Sequence, residues 1–361
     1  MERIVLHLDI DYFFAQAEEN EHPEYRGKPV VVCVYSGRTA ESGVVSTANY
    51  EARGYGVRSG MPIRNAIEKL KGAKAVFLPV RHELYGKISQ GVMETLSAYG
   101  EKFEYASIDE GYLDLTRAAD MDYAAARKIG ERIKNEILAK FHLTCSVGVG
   151  PNKLIAKIAS EVVKPNGLTV VASEEVGGFL EAMDVTRIPG VGKKSSEFLE
   201  NMGIKTVSQL RKADPGMIAE AFGKKTGGWL INAARGVDES EVGEVSEQKQ
   251  ISRIATLKRD TRELQEIMGA MEQLIHDVAN EINERNVSFS AVGAALIDEN
   301  LKNYAKARTL AHPSQDPADI RKTASALFQE ILNESGKNFR RAGIRIERLE
   351  SKKGQKTLGE F

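Results

Sequence analysis

Ser107-Ile108-Asp109-Glu110-Gly111 sets two adjacent carboxylates between an apolar-aromatic run, Phe103 to Ala106, and the alternating run Tyr112-Leu113-Asp114-Leu115. Two short strand-like segments around a tight junction containing a glycine predict a β-hairpin. Adjacent residues on a straight strand point to opposite faces, so Asp109 and Glu110 serve one site only if the backbone bends there, as a hairpin tip does. Carboxylates held close repel, and a divalent cation is the common remedy. Oxygen ligands with no histidine or cysteine beside them suit Mg²⁺ or Mn²⁺ rather than zinc. The plain alternative is an Asp-Glu pair at a solvated turn.

Upstream, residues 3–10 form a near-continuous apolar run with β-branched members, the pattern of a buried central strand. It closes on Asp9-Ile10-Asp11, followed by Tyr12-Phe13-Phe14 and the helix-like Ala15-Gln16-Ala17-Glu18-Glu19. Asp9 and Asp11 share a face if the strand continues. The end of a buried strand is where open α/β sheets place ligands; the alternative for Asp11 is a helix cap. A second buried strand is predicted at 29–35, then the loop Ser36–Gly43, a strand at 44–48, and a helical turn in which Tyr50 and Arg53, three apart, share a side. A hydroxyl beside a guanidinium suits a phosphate; an ordinary surface arginine is the alternative.

Downstream, the pattern predicts a strand at 75–79, helices at 81–99 and 121–140, a strand at 144–150, a helix at 152–159, the turn Lys164-Pro165-Asn166-Gly167 and a strand at 168–172. Alternating strands and helices make an α+β or α/β domain, with 13–79 as an inserted subdomain. From 173 the chain reads as helices. Among them Ile188-Pro189-Gly190-Val191-Gly192-Lys193 joins two helices through glycines. Such a turn lets backbone N–H groups converge on an anion at a helix start, or is merely structural. The acidic, polar residues 237–250 read as an interdomain linker. Beyond it, four strands and two helices over about 251–349 carry Arg253, Lys258, Arg259, Lys306, Arg308, Arg341 and Arg345, a candidate basic stripe.

The chain has 361 residues, more than one compact core holds, and predicts two to four domains. With 42% hydrophobic residues it is no disordered chain, and no apolar run reaches the length of a membrane span. Its first residues enter a strand directly, without a signal-peptide layout. Cys33 and Cys145, far apart in apolar runs, are expected to be buried thiols of a cytoplasmic protein, and no histidine is assigned a role. A formal net charge of −1 excludes a protein that coats nucleic acid by bulk electrostatics, so any such binding rests on local patches.

Together these features resemble the Y-family, or lesion-bypass, DNA polymerases, on the archaeal DinB-like branch. The resemblance covers essentially the whole chain and rests on four blocks in the family's order: Asp9-Ile10-Asp11-Tyr12-Phe13-Phe14-Ala15-Gln16, Ala48-Asn49-Tyr50-Glu51-Ala52-Arg53, Ala106-Ser107-Ile108-Asp109-Glu110, and Lys164-Pro165-Asn166-Gly167. It implies a multidomain α+β right hand: a palm at 1–12 and 80–171, fingers at 13–79, a helical thumb with a helix-hairpin-helix at 172–240, a linker at 241–250, a little finger at 251–349 and a tail at 350–361. Asp9, Asp109 and Glu110, with the Ile10 carbonyl, are then the ligands of two Mg²⁺ ions, with Mn²⁺ as the substitute. Tyr12, Phe13, Phe14, Tyr50, Arg53 and Lys164 bind the nucleotide, and Phe14 excludes a 2′-hydroxyl. Val44, Ser46 and Gly60 roof the templating base. Gly190, Gly192 and Lys193 grip a DNA phosphate.

Gly111 stands where many relatives carry alanine, an exchange expected to be tolerated. The linker is acidic where some relatives have a basic one, which puts linker–DNA contact in doubt. Gln355, Leu358 and Phe361 resemble the peptide that docks on a sliding clamp of the archaeal and eukaryotic (PCNA) type. Expected partners are therefore primer-template DNA, a dNTP and a clamp, for a monomer. A nucleotide cyclase, another user of metal-bound carboxylates on a sheet, leaves the helix-hairpin-helix, the last domain and the tail without a role. An inactive scaffold leaves Asp9, Asp109 and Glu110 without one.

Overall fold

The computed structural model describes residues 2–243 and 249–351. Its elements run β1 (Val5–Ile10), α1 (Phe13–Glu21), β2 (Val30–Tyr35), β3 (Gly43–Ala48), α2 (Tyr50–Gly54), α3 (Ile63–Lys69), β4 (Val76–Pro79), α4 (His82–Ser97), β5 (Lys102–Tyr105), β6 (Glu110–Asp114), α5 (Tyr123–Phe141), β7 (Cys145–Gly150), α6 (Lys153–Ser160) and β8 (Leu168–Val170). The helices α7 (Val176–Glu181), α8 (Lys193–Asn201), α9 (Val207–Lys212), α10 (Pro215–Phe222) and α11 (Lys224–Ala234) follow. The last part is β9 (Gln250–Thr261), α12 (Leu264–Glu284), β10 (Val287–Asp298), β11 (Asn303–Ser314), α13 (Pro317–Ser335) and β12 (Phe339–Ser351). The chain divides into two compact units: residues 1–33, 45–61 and 66–245, and residues 34–44, 62–65 and 246–361.

The first unit is built on a five-stranded sheet of order β5-β6-β1-β7-β8. Every residue of β1 is buried, because this strand lies mid-sheet with both faces covered, and so its sequence does not alternate. Which helix covers which face is set by two glycines. A Cβ on Gly148 would fall 2.0 Å from the Ala156 carbonyl oxygen, so only glycine lets α6 press so close. Gly148 is the register partner of His7, which puts α6 on the face that also carries Asp9. On Gly130 of α5 a Cβ would meet Leu168, Val147 and Leu6 side chains instead, which places α5 against the opposite face.

The predicted hairpin is present, with a different tip. β5 and β6 pair antiparallel with Tyr105 opposite Gly111, so the turn is residues 106–109 and Gly111 lies inside β6. Ala106 and Ser107 N–H groups both donate to the Glu110 carbonyl, each at 3.1 Å. A Cβ at Gly111 would sit 3.0 Å from the Leu96, Met93 and Phe103 side chains: this glycine answers tight packing, not turn geometry.

Asp11 does not cap α1. The strand ends at Ile10, Tyr12 takes the N-cap position in the left-handed region at φ 36°, and no side chain caps the helix. The buried Asp11 carboxylate instead accepts from Ser146 Oγ at 2.7 Å and from the Asn166 N–H at 2.8 Å. It ties the end of β1 to the 164–167 turn.

The polar stretch read as a linker is docked through residue 243. Asn152 Nδ2 donates to Gly236 O at 2.8 Å, and the Leu154 N–H to Asp238 at 3.2 Å. Arg3 donates to the carbonyls of Ser240 and Asp238, Lys102 pairs with Glu241 at 2.7 Å, and Val242 is buried against Val5, Tyr112 and Ala156. The acidity of this segment thus meets cations and N–H groups of the first unit. Gln355, Leu358 and Phe361 lie outside the described residues.

The second unit holds a four-stranded sheet of order β11-β10-β12-β9, with α12 and α13 on one face over a core that includes Phe289, Val292, Phe328 and Phe339. Register splits the expected basic stripe. Arg253 pairs with Ile344, Lys306 with Ala294 and Arg308 with Val292, all buried, so these three point to the helix side. There they meet Glu281, Glu330 and Glu334 of the helices. Arg341 and Arg345 belong with Gly343 to the open face. Both cysteines are buried and in no disulfide. No helix among the described residues is long and apolar enough to cross a membrane.

Candidate active site

β1 and β6 bring the carboxylates together by register: Asp9 is the direct partner of Glu110. The Ile10 N–H donates to the Asp109 carbonyl at 2.9 Å, which makes Ile10 and Asp109 the hydrogen-bonded pair and leaves Asp9 and Glu110 at the closer one, with Cα atoms about 4.5 Å apart. Asp9 and Asp109 both line a cavity of 210 Å³, together with Ile10, Tyr12, Phe13, Phe14, Ser46, Tyr50, Arg53 and Lys164. Glu110, Val44 and Gly60 do not line it, whereas Thr47 and Ser59, not anticipated from sequence, do.

Around this cavity each carboxylate has a partner. Lys164 Nζ lies 2.7 Å from Asp9 and 2.6 Å from Glu161. Lys157 Nζ lies 2.5 Å from Glu110, and Ser107 Oγ donates to Asp109 at 2.6 Å. Burial pushes the Asp9 carboxyl up to about 7, against the pull of Lys164. Glu110 is held below the usual carboxylate range by the His7 ring and by Lys157. His7 Nε2 is 3.8 Å away, too long for a hydrogen bond, so the Lys157 contact is the firmer of the two. Burial works against Lys164, yet Asp9 and Glu161 raise it above the usual lysine value. His7 and Lys157 were missed in the sequence. The signal was there: His7 shares the face of Asp9 by period two, and Lys157 lies one α6 turn before Glu161.

Among the described residues no three His, Cys, Asp or Glu side chains are gathered closely enough to hold a metal ion. The donor chemistry nonetheless fits a hard divalent cation: two strand-paired carboxylates, a third at the cavity wall and an Ile10 backbone beside them, all oxygen. Asp9 and Glu110 are turned to the ammonium groups of Lys164 and Lys157, while Asp109 accepts from the Ser107 hydroxyl.

Tyr50 and Arg53 fall on one side of α2, as the spacing predicts, with the guanidinium carbon 5.0 Å from the ring centre. Arg53 Nε donates to the Ala48 carbonyl at 2.8 Å, which fixes the stem of a side chain that lines the cavity. Elsewhere in the first unit, Gly190 takes φ 95° under Trp229, and Gly192 is the N-cap of α8, with no side chain on its free N–H groups and Lys193 exposed beside them. The helix before this turn is only the short 3₁₀ segment Val185–Arg187. A larger cleft of 1010 Å³, lined in part by Arg3, Asp114, Arg117 and Arg235, involves none of the predicted site residues.

Family models match three stretches of the chain. That of the impB/mucB/samB family covers residues 8–161, that of its C-terminal domain 248–358, and that of the DNA polymerase-iota thumb domain 186–238. DNA polymerase IV of Methanosarcina acetivorans is 43% identical over 367 residues, covering 100% of both chains. DNA polymerase IV of Saccharolobus solfataricus is 39% identical over 351 residues, 96% of each. Among solved structures, "Y-family DNA polymerase chimera Dbh-Dpo4(243-245)-Dbh" is 36% identical with a TM-score of 0.90, covering 96% of this chain and 99% of that one. "Insertion ternary complex of Dbh DNA polymerase" is 35% identical with a TM-score of 0.68 over the same shares.

Proposed function

Since this chain belongs to the impB/mucB/samB family, the Y-family DNA polymerases, and is a DNA-directed DNA polymerase, we propose that it performs translesion synthesis, with low fidelity and low processivity and without proofreading. It adds dNTPs to a primer 3′-hydroxyl and releases pyrophosphate. The observation that carries this reading is the single cavity shared by Asp9, Asp109, Phe14, Tyr50, Arg53 and Lys164.

The family's dependence on divalent metal suits these residues: Asp9, Asp109, Glu110 and the Ile10 carbonyl would hold two ions, Mg²⁺ or Mn²⁺. When bound, such a pair supplies an acidified 3′-hydroxyl and neutralises charge on the phosphates. The protein's own part is placement. Lys164 exchanges Asp9 for the triphosphate, where Tyr50 and Arg53 join it, and the backbone of Tyr12 to Phe14 assists. Phe14 underlies the sugar and rejects a 2′-hydroxyl by overlap. Ser46, with Val44 and Gly60, roofs the templating base.

The assignment extends to the palm, fingers, thumb, linker and little finger at the boundaries given above. Gly190, Gly192 and Lys193 hold a DNA phosphate at the start of α8. On the little-finger sheet, Arg341 and Arg345 are the cations for duplex DNA. Gln355, Leu358 and Phe361 dock on a PCNA-type clamp, and the enzyme acts as a monomer in the cytoplasm. Primer extension opposite an abasic site, with each dNTP in turn, tests the activity: insertion and extension are expected, and a stop one base before the lesion refutes the translesion role. Deleting 354–361 is expected to remove clamp stimulation and spare basal synthesis; equal stimulation refutes the clamp assignment.

A further inference from the structure

Behind Phe14 stand three linked side chains, Tyr85, Glu18 and Arg81. Phe14 and Glu18 lie one turn apart on α1; Arg81 and Tyr85 lie one turn apart at the start of α4. The Tyr85 ring stacks on Phe14, with centroids 4.2 Å apart and planes at 12°. Its hydroxyl donates to Glu18 Oε1, and Arg81 clamps the same carboxylate with both Nε, at 2.7 Å, and Nη2. Tyr85 is 0% and Glu18 2% exposed. A carboxylate this deeply buried needs its counter-charge, and a bidentate guanidinium supplies it with fixed geometry. Burial and the Glu18 hydrogen bond push the Tyr85 phenol above its usual range, so it stays a donor.

We propose that the buried Glu18, held by the part-exposed Arg81, is a positioning device for sugar selection: through Tyr85 it backs the Phe14 ring, so that the ring cannot yield to a 2′-hydroxyl. Exclusion by overlap works only if the excluding group is stiff. A phenylalanine with free space behind it tilts away at little cost, whereas one stacked on a ring anchored at its far end does not. The inference rests on Phe14 being the residue under the sugar.

The test is kcat/KM for a dNTP and the matching rNTP on one primer-template, with the full-length enzyme. Tyr85→Leu, which removes stack and anchor, is expected to lower the dNTP preference about tenfold or more, and Glu18→Gln and Tyr85→Phe several-fold. The change is expected in a raised rNTP kcat, with dNTP kcat/KM held within a few-fold. Arg81→Lys, a conservative exchange, is expected to retain more of the preference than Arg81→Ala. A variant that slows both nucleotides equally, or lowers melting temperature without moving the ratio, shows a merely structural cluster and overturns the proposal. Phe14→Ala separates the two levels. If it admits rNTPs while the Glu18 and Tyr85 variants do not, the backing role fails alone. If Phe14→Ala leaves the ratio unchanged, the assignment of Phe14 under the sugar fails.

Discussion

The two main sheets carry their charges in opposite senses. On the five-stranded sheet the acids Asp9 and Glu110 sit on strands and the lysines come from α6 and the turn after it. On the four-stranded sheet Arg253, Lys306 and Arg308 sit on strands and the acids come from α12 and α13. The depth differs as well. Asp9 is buried at a cavity wall, whereas the Arg253, Lys306 and Arg308 pairs on the two edge strands are half-buried to exposed. Pairs open to solvent contribute little to stability and are replaceable; the buried Asp9 holds a charge that folding alone does not favour. Such unprofitable charge, kept where a cavity opens, is the mark of a site rather than a brace.

Glycines sharpen the contrast. Gly148→Val is expected to cost about 3 kcal/mol or more, because α6 must leave the sheet; denaturant unfolding measures it, and an unchanged midpoint breaks the account of how α6 is placed. Asp11→Ala comes next, at about 2 kcal/mol, since it strands the buried Ser146 hydroxyl and Asn166 N–H. The same measurement checks it, and a loss below about 0.5 kcal/mol contradicts the tie to the 164–167 turn. Lys164→Ala is expected to raise the KM for dNTP about tenfold, a loss of about 1.4 kcal/mol. An unchanged KM in steady-state incorporation removes Lys164 from the triphosphate. Gly293→Ala on the open face of the other sheet meets only ordinary contacts, the nearest at 3.5 Å from Arg345 Nε, and is expected to change stability by less than about 0.5 kcal/mol.

Much of this was legible in the sequence where one residue's chemistry sufficed. The continuous apolar run before Asp9 marked the mid-sheet strand, and the Tyr50–Arg53 spacing marked one side of a short helix. What was hidden depends on pairing between distant segments. Asp11 looks like a cap because its partners, Ser146 and Asn166, lie more than 130 residues away. The 237–250 stretch looks like a linker because Arg3 and Lys102, which its first half meets, are equally remote. Arg253, Lys306 and Arg308 look like a DNA-facing stripe until strand register turns them toward the helices. Gly111 looks like a turn because the side chains that crowd it come from α4 and β5.

The central claim is that Asp9, Asp109 and Glu110 form one metal-dependent catalytic site. It is tested most directly by single-nucleotide incorporation with Asp109→Ala and Glu110→Ala enzymes in Mg²⁺, with primer-template affinity measured on the same preparations. The account predicts that incorporation falls by at least about 10³-fold while DNA affinity stays within a few-fold. Incorporation near the unsubstituted rate in either variant would contradict it.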